Sequence, residues 1–126
     1  MRLGFHVSIA GGLKNAVERA LRRRCQTVQM FTAAPSRWKR RTPDAGEDRW
    51  FARACERHDL QPIFIHAPYL LNLATDDDAL WERSCDVLRS EIQTANRWHA
   101  RGVIFHPGSS GGRPVGVALE RVAEGI

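Results

Sequence analysis

At 126 residues, with 43% hydrophobic and 26% charged side chains, the chain has an ordinary globular composition and enough length to bury one core. No apolar run approaches the ~20 residues that cross a bilayer, and the opening Met1-Arg2-Leu3-Gly4-Phe5-His6 is too polar for a signal peptide, so a cytoplasmic protein is expected. The formal charge of +5 admits an anionic partner such as nucleic acid, but 17 of the 19 basic residues are arginine, a skew that base composition alone can produce.

Residues 3–8 form a short apolar run that ends in polar groups and predict a first strand. Gly11-Gly12 turns the chain, and residues 13–24 set Leu13, Ala16, Val17, Ala20 and Leu21 on one helical face. Arg22-Arg23-Arg24 suits the negative end of that helix. Residues 27–32 predict a second strand. A polar loop follows, in which Arg37, Lys39, Arg40 and Arg41 surround Trp38. Thr42-Pro43-Asp44 opens a second helix, with Trp50, Phe51, Ala54 and Cys55 as its apolar stripe.

Residues 62–66 predict a third strand, apolar on both faces as a buried parallel strand requires. Thr75 with Asp78 predicts a capping box for a third helix running to about His99. That helix carries Leu80, Ser84, Val87, Leu88, Glu91-Ile92, Ala95 and Trp98 along one side. Residues 103–106 predict a fourth strand and residues 117–126 a fourth helix. The order is β-α-β-α-β-α-β-α in one unit over residues 1–126, which means a parallel sheet with right-handed crossovers. An open doubly wound sheet and a closed eight-stranded barrel both satisfy it, and four units are half of a barrel of about 250 residues.

Three predicted strands end in histidine: His6, His66 and His106. The C-terminal strand ends of parallel α/β proteins face the active site, and neutral imidazole is a ligand for zinc or a similar ion. A single histidine in such a run is more often a satisfied core residue; three at equivalent positions point to a shared site. His66-Ala67-Pro68-Tyr69-Leu70 and His106-Pro107-Gly108-Ser109 continue into turn residues, as a tight βα turn and a ligand cradle both require. Cys25, Cys55 and Cys85 fit neither a disulfide framework nor a zinc knuckle and are expected to be small buried hydrophobes.

Taken in order, residues 4–13 (Gly-Phe-His-Val-Ser-Ile-Ala-Gly-Gly-Leu), Gln29-Met30-Phe31-Thr32 with Trp38, residues 66–73 (His-Ala-Pro-Tyr-Leu-Leu-Asn-Leu) and Phe105-His106-Pro107-Gly108-Ser109 resemble the endonuclease IV family of zinc-dependent apurinic/apyrimidinic endonucleases. The resemblance covers all 126 residues but only about the first half of the family's barrel. It implies a TIM-type (β/α)8 barrel, here only its first four βα units, from an enzyme that holds three zinc ions and hydrolyses the phosphodiester 5′ to an abasic site in double-stranded DNA. Carried over by position, His66 and His106 match two ligands of one zinc. Tyr69 and Leu70 match residues that press into the duplex, a role also suited to a core cap by composition. Arg37 and Trp38 lie in a loop that matches a DNA-contacting one. His6 matches a pocket-floor residue that is not a zinc ligand, and Ser8 and Ser109 fall beside the same pocket.

The chain departs from that pattern at Ala33 and Ala34, where lysine and asparagine are usual, at Ser36, where arginine is common, and at Ser110, where histidine is common. The family's bridging glutamate and remaining ligands lie on strands five to eight. The resemblance therefore implies at most one partial zinc site, poor catalysis by the isolated chain, and self-association through open sheet edges. A metal-dependent sugar isomerase or epimerase on the related barrel is the alternative, and a non-catalytic truncated remnant is the third reading.

Overall fold

A computed structural model describes residues 1–126. Four strands, β1 (Gly4–His6), β2 (Thr27–Met30), β3 (Ile63–His66) and β4 (Gly102–Ile104), alternate with four helices, α1 (Leu13–Arg22), α2 (Ala45–Arg57), α3 (Asp78–Arg97) and α4 (Val115–Glu124). The strands lie in the order β1-β2-β3-β4, every pair parallel. This is four consecutive βα units in one open sheet, the arrangement expected of a partial barrel.

Register divides the strand residues between two faces. Val28 and Met30 pair with Ile63 and Ile65, and Ile65 pairs with Val103. These side chains face the helices, and all but the half-buried Val103 are buried in a core that includes Leu13, Val17, Phe51 and Trp98. The alternate residues His6, Gln29, Phe64 and His66 share the other face, where no second layer covers them. Period-two alternation thus sends the core residues to the helices and the histidines, with Gln29, Phe64 and Ile104, to the opposite face.

Helices α1, α2 and α3 end by one device. Arg24, Asp59 and His99 each adopt a φ of 53°. The next amide then reaches back five residues: Cys25 to the Ala20 carbonyl, Leu60 to Cys55, and Ala100 to Ala95. These are Schellman caps made without glycine, and the following Cys25 and Leu60 are buried as the apolar plug such caps favour. Each non-glycine residue in that conformation costs about 1–2 kcal/mol.

At the helix starts, Asp44 caps α2, accepting from the Gly46 and Glu47 amides at 2.8 and 2.9 Å, so Pro43 lies before the helix and not in its first turn. The capping box expected of Thr75 and Asp78 does not form. Asp77 caps α3 by accepting from the Leu80 amide at 3.0 Å, while the Thr75 hydroxyl accepts from the Asp77 amide. The helix starts later than a Thr75 cap would set it, so the cap falls to Asp77, whose backbone is extended. Trp50 and Ile92 also leave the stripes assigned to them and stay exposed; Asp48 and Ala52 are buried on α2 instead.

Between α2 and α3 the buried Asp48 accepts from three donors: Arg41 Nη1 at 2.7 Å, Arg97 Nε at 3.0 Å and the Trp98 indole at 2.7 Å. No sequence pattern announced this knot. Cys55 is fully buried and its thiol is pushed up to about 12 by burial, so it is an inert core residue as expected. At the sheet margins β1 and β4 each pair on one side only. Phe5 on β1 is exposed, as are Val115 and Leu119 on α4, which buries only Ala118. No helix is long and apolar enough to cross a membrane.

Candidate metal and nucleic-acid site

The C-terminal strand ends gather His6, Phe31, His66, Tyr69 and His106 into one aromatic group. The His66 and His106 ring centres lie 5.2 Å apart, and His6 stands 6.1 Å from His66 on the other side. Only His6 and His66 close their strands. β4 ends at Ile104, so His106 projects from the following loop rather than from the strand expected to carry it. The Ala67 amide donates to the Ile104 carbonyl at 2.8 Å and holds the two segments together.

Hydrogen bonding assigns the imidazoles different roles. His66 Nδ1 lies 2.6 Å from the Ala67 carbonyl, which can only accept. Nδ1 therefore carries the proton, and the Nε2 lone pair is free. Gln29 Nε2 lies 3.0 Å from His6 Nδ1 and donates to it, so that nitrogen is already engaged. Burial, then the neighbouring His66, holds the His6 pKa below its ordinary value.

Two imidazoles on one tetrahedral zinc, with Zn–N near 2.0–2.1 Å, have ring centres about 5 Å apart. The His66–His106 spacing of 5.2 Å fits that geometry. No group of three or more His, Cys, Asp or Glu side chains is assembled to hold a metal ion. The pair is thus a fitting but incomplete donor set.

The loop after β4 is braced by a residue that sequence reading left unassigned. Asn72 Oδ1 accepts from the amides of Ala74 and Ser109, each at 3.1 Å, and its own amide donates to Ser84 Oγ at 3.0 Å. Gly108 has a φ of 101°, and a Cβ there would sit 2.0 Å from Asn72 Oδ1. Arg113 donates to the carbonyls of Ser110 and Ala74 and closes the same loop. Ser109 is exposed and its hydroxyl accepts from the Gly111 amide; Ser8, also exposed, accepts from the Ala10 amide.

The basic loop divides. Arg37 and Lys39 are exposed, but Arg40 and Arg41 turn inward, contrary to an outward-facing run of cations. Arg41 meets Glu47 at 2.6 Å and Asp48 at 2.7 Å. Arg40 Nε stands 3.1 Å from the almost fully buried Glu91. Burial raises the Glu91 pKa, opposed by Thr32 and Arg40, and the same burial lowers that of Arg40. Trp38 is half-buried against the cluster of Ala67, Leu71, Leu73, Val87 and Leu88, with the Arg83 guanidinium 4.4 Å over its ring. Tyr69 is 61% exposed, its amide tied to the Pro35 carbonyl at 3.3 Å, and Leu70 is half-buried; the buried leucines of this segment are Leu71 and Leu73. Tyr69 is therefore not a core cap.

Comparison with known proteins agrees with this arrangement. Residues 17–126 match the family model described as xylose isomerase-like TIM barrel. The chain is 36% identical over 126 residues to a probable endonuclease 4 of Halothermothrix orenii, covering all of this chain and 45% of that protein. A second probable endonuclease 4, from Solibacter usitatus, is also 36% identical over 126 residues, with 43% of it covered. Among solved structures, endonuclease IV from Thermus thermophilus superposes with a TM-score of 0.86 at 38% identity, covering 99% of this chain and 44% of that one. A D-tagatose 3-epimerase-like protein superposes at 0.69 with 18% identity, a likeness of fold alone. The chain spans less than half the length of these relatives. It belongs to the xylose isomerase-like TIM barrel family, and within that family it groups with the endonuclease IV proteins.

Proposed function

We propose that this chain is part of a zinc-dependent apurinic/apyrimidinic endonuclease of DNA base excision repair, acting in the cytoplasm on the phosphodiester 5′ to an abasic site. The observation that carries the reading is the pairing of His66 with His106 at 5.2 Å beside an exposed tyrosine, in a chain of this family. His66, through its free Nε2, and His106 would hold one zinc ion between them. Bound zinc lowers the pKa of water and neutralises charge on phosphoryl oxygens.

The remaining roles belong to the chain itself. Tyr69 with Leu70, raised at the tip of the loop after β3, presents an aromatic and an aliphatic group to unstack a duplex at a lesion. Arg37 meets backbone phosphate, while Trp38 shapes the loop from beneath. His6, Ser8 and Ser109 line the pocket floor and rim. Two histidines without a carboxylate leave the ion's ligand set unfinished, so the chain binds the lesion better than it cleaves there. Its open edges at β1 and β4 favour self-association.

The test is to incubate the 126-residue chain with zinc and a duplex containing one abasic site, measuring binding and nicking together. The expected result is salt-sensitive binding that favours the abasic duplex, with slow nicking at most. Indifference to DNA combined with binding of a small polyol would replace this reading by a sugar epimerase.

A further inference from the structure

Of the four cations around Trp38 in the sequence, Arg40 and Arg41 are consumed by buried carboxylates, which leaves Arg37 and Lys39. A further cation joins them from 45 positions away. Arg83 is exposed on α3, has no carboxylate partner within salt-bridge distance, and lies with its guanidinium 4.4 Å over the Trp38 ring. The other contacts of Trp38 are to the apolar cluster containing Val87, one helical turn along α3 from Arg83. Arg83 therefore sits over the face of a ring that is itself anchored.

We propose that Arg83 is a positioning cation of the nucleic-acid surface, held by Trp38 so that its outer N–H groups meet a backbone phosphate next to the one met by Arg37. The proposal rests on the DNA reading above and adds a residue to it. A guanidinium held over an aromatic face still has N–H donors that point away from the ring, so Trp38 and a phosphate can be engaged at once. The arrangement also fixes the side chain before DNA arrives, which lowers the entropy lost on binding. It places the charge at the C-terminal end of the sheet, because α3 starts at the loop that carries Tyr69.

The experiment measures binding of the full chain to a duplex with a stable abasic analogue over a range of salt, for the unaltered chain, Arg83→Met and Arg83→Lys. Arg83→Met keeps a stem that packs on Trp38 and removes the charge. It is expected to reduce the slope of log affinity against log salt by about 0.9, and affinity near 0.1 M salt by roughly five- to tenfold. Arg83→Lys is expected to keep the slope while binding more weakly, since the charge remains but the guanidinium with its several fixed N–H donors is gone. DNA binding with the same slope in Arg83→Met as in the unaltered chain would overturn the role of Arg83 alone. Absence of DNA binding by the unaltered chain would overturn the DNA reading and this assignment with it.

Discussion

Arg40 Nε stands 3.1 Å from Glu91 Oε1 in the interior, so the loop after β2 is tied by an ion pair to the middle of α3. Thr32 donates its hydroxyl to the same carboxylate oxygen at 2.9 Å, yet Arg40 Nε and Nη2 and Glu91 Oε2 have no hydrogen-bond partner, so the pair is held by charge without an aligned hydrogen bond. A buried pair so placed fixes geometry more than it stabilises. Arg40→Met or Glu91→Met alone is expected to cost about 3–5 kcal/mol by stranding the other charge. The double variant should recover most of that loss, measured by denaturant unfolding. Strict additivity would show that the two groups are not coupled.

Asp48 gathers Arg41, Arg97 and the Trp98 indole from three parts of the chain. Asp48→Ala leaves the buried Trp98 indole without its acceptor and takes one partner from Arg41, which keeps Glu47, and from Arg97, which keeps Thr94, and is expected to cost about 1–3 kcal/mol in urea unfolding. Asp48→Asn keeps one acceptor oxygen and should lose less. A loss below about 1 kcal/mol in Asp48→Ala would show that the knot contributes little.

Gly108 serves the loop that presents His106. Both its φ of 101° and the space taken by Asn72 exclude a side chain. Gly108→Ala is expected to destabilise by about 1–3 kcal/mol and to accelerate hydrogen exchange at the Ser109 amide, which Asn72 holds. Unchanged exchange at Ser109 would contradict the bracing role of Asn72.

The depressed pKa of His6 has a sign in solution. Folding then favours the neutral ring, so the unfolded chain binds more protons in the window between the depressed value and about 6.5. Stability should fall as pH drops through that window. His6→Gln should flatten this part of the stability profile, measured as denaturant midpoints between about pH 5 and about pH 7. An unchanged profile would contradict it.

The order of strands and helices was legible because apolar residues recur with the two backbone periods, as at Leu13, Ala16, Val17 and Ala20 on α1. The start of α2 could be read from Thr42-Pro43-Asp44; the cap of α3 could not, because Asp77 was hidden among three consecutive aspartates. His66 and His106 were found by position, since each ends an apolar run. What escaped were relationships across distance: Arg83 with Trp38, Arg40 with Glu91, Asn72 with Ser109. A cluster of arginines in sequence gives no sign of which guanidinium faces water. That depends on carboxylates supplied by another helix, as Arg40 and Arg41 demonstrate.

The shared use of one ion by His66 and His106 is tested most directly by metal titration of the chain with zinc, and with cobalt(II) as an optical stand-in. The expected outcome is one ion per chain, bound in the unaltered protein and in His6→Ala, and lost in both His66→Ala and His106→Ala. Metal binding that survives both of those substitutions would contradict the account.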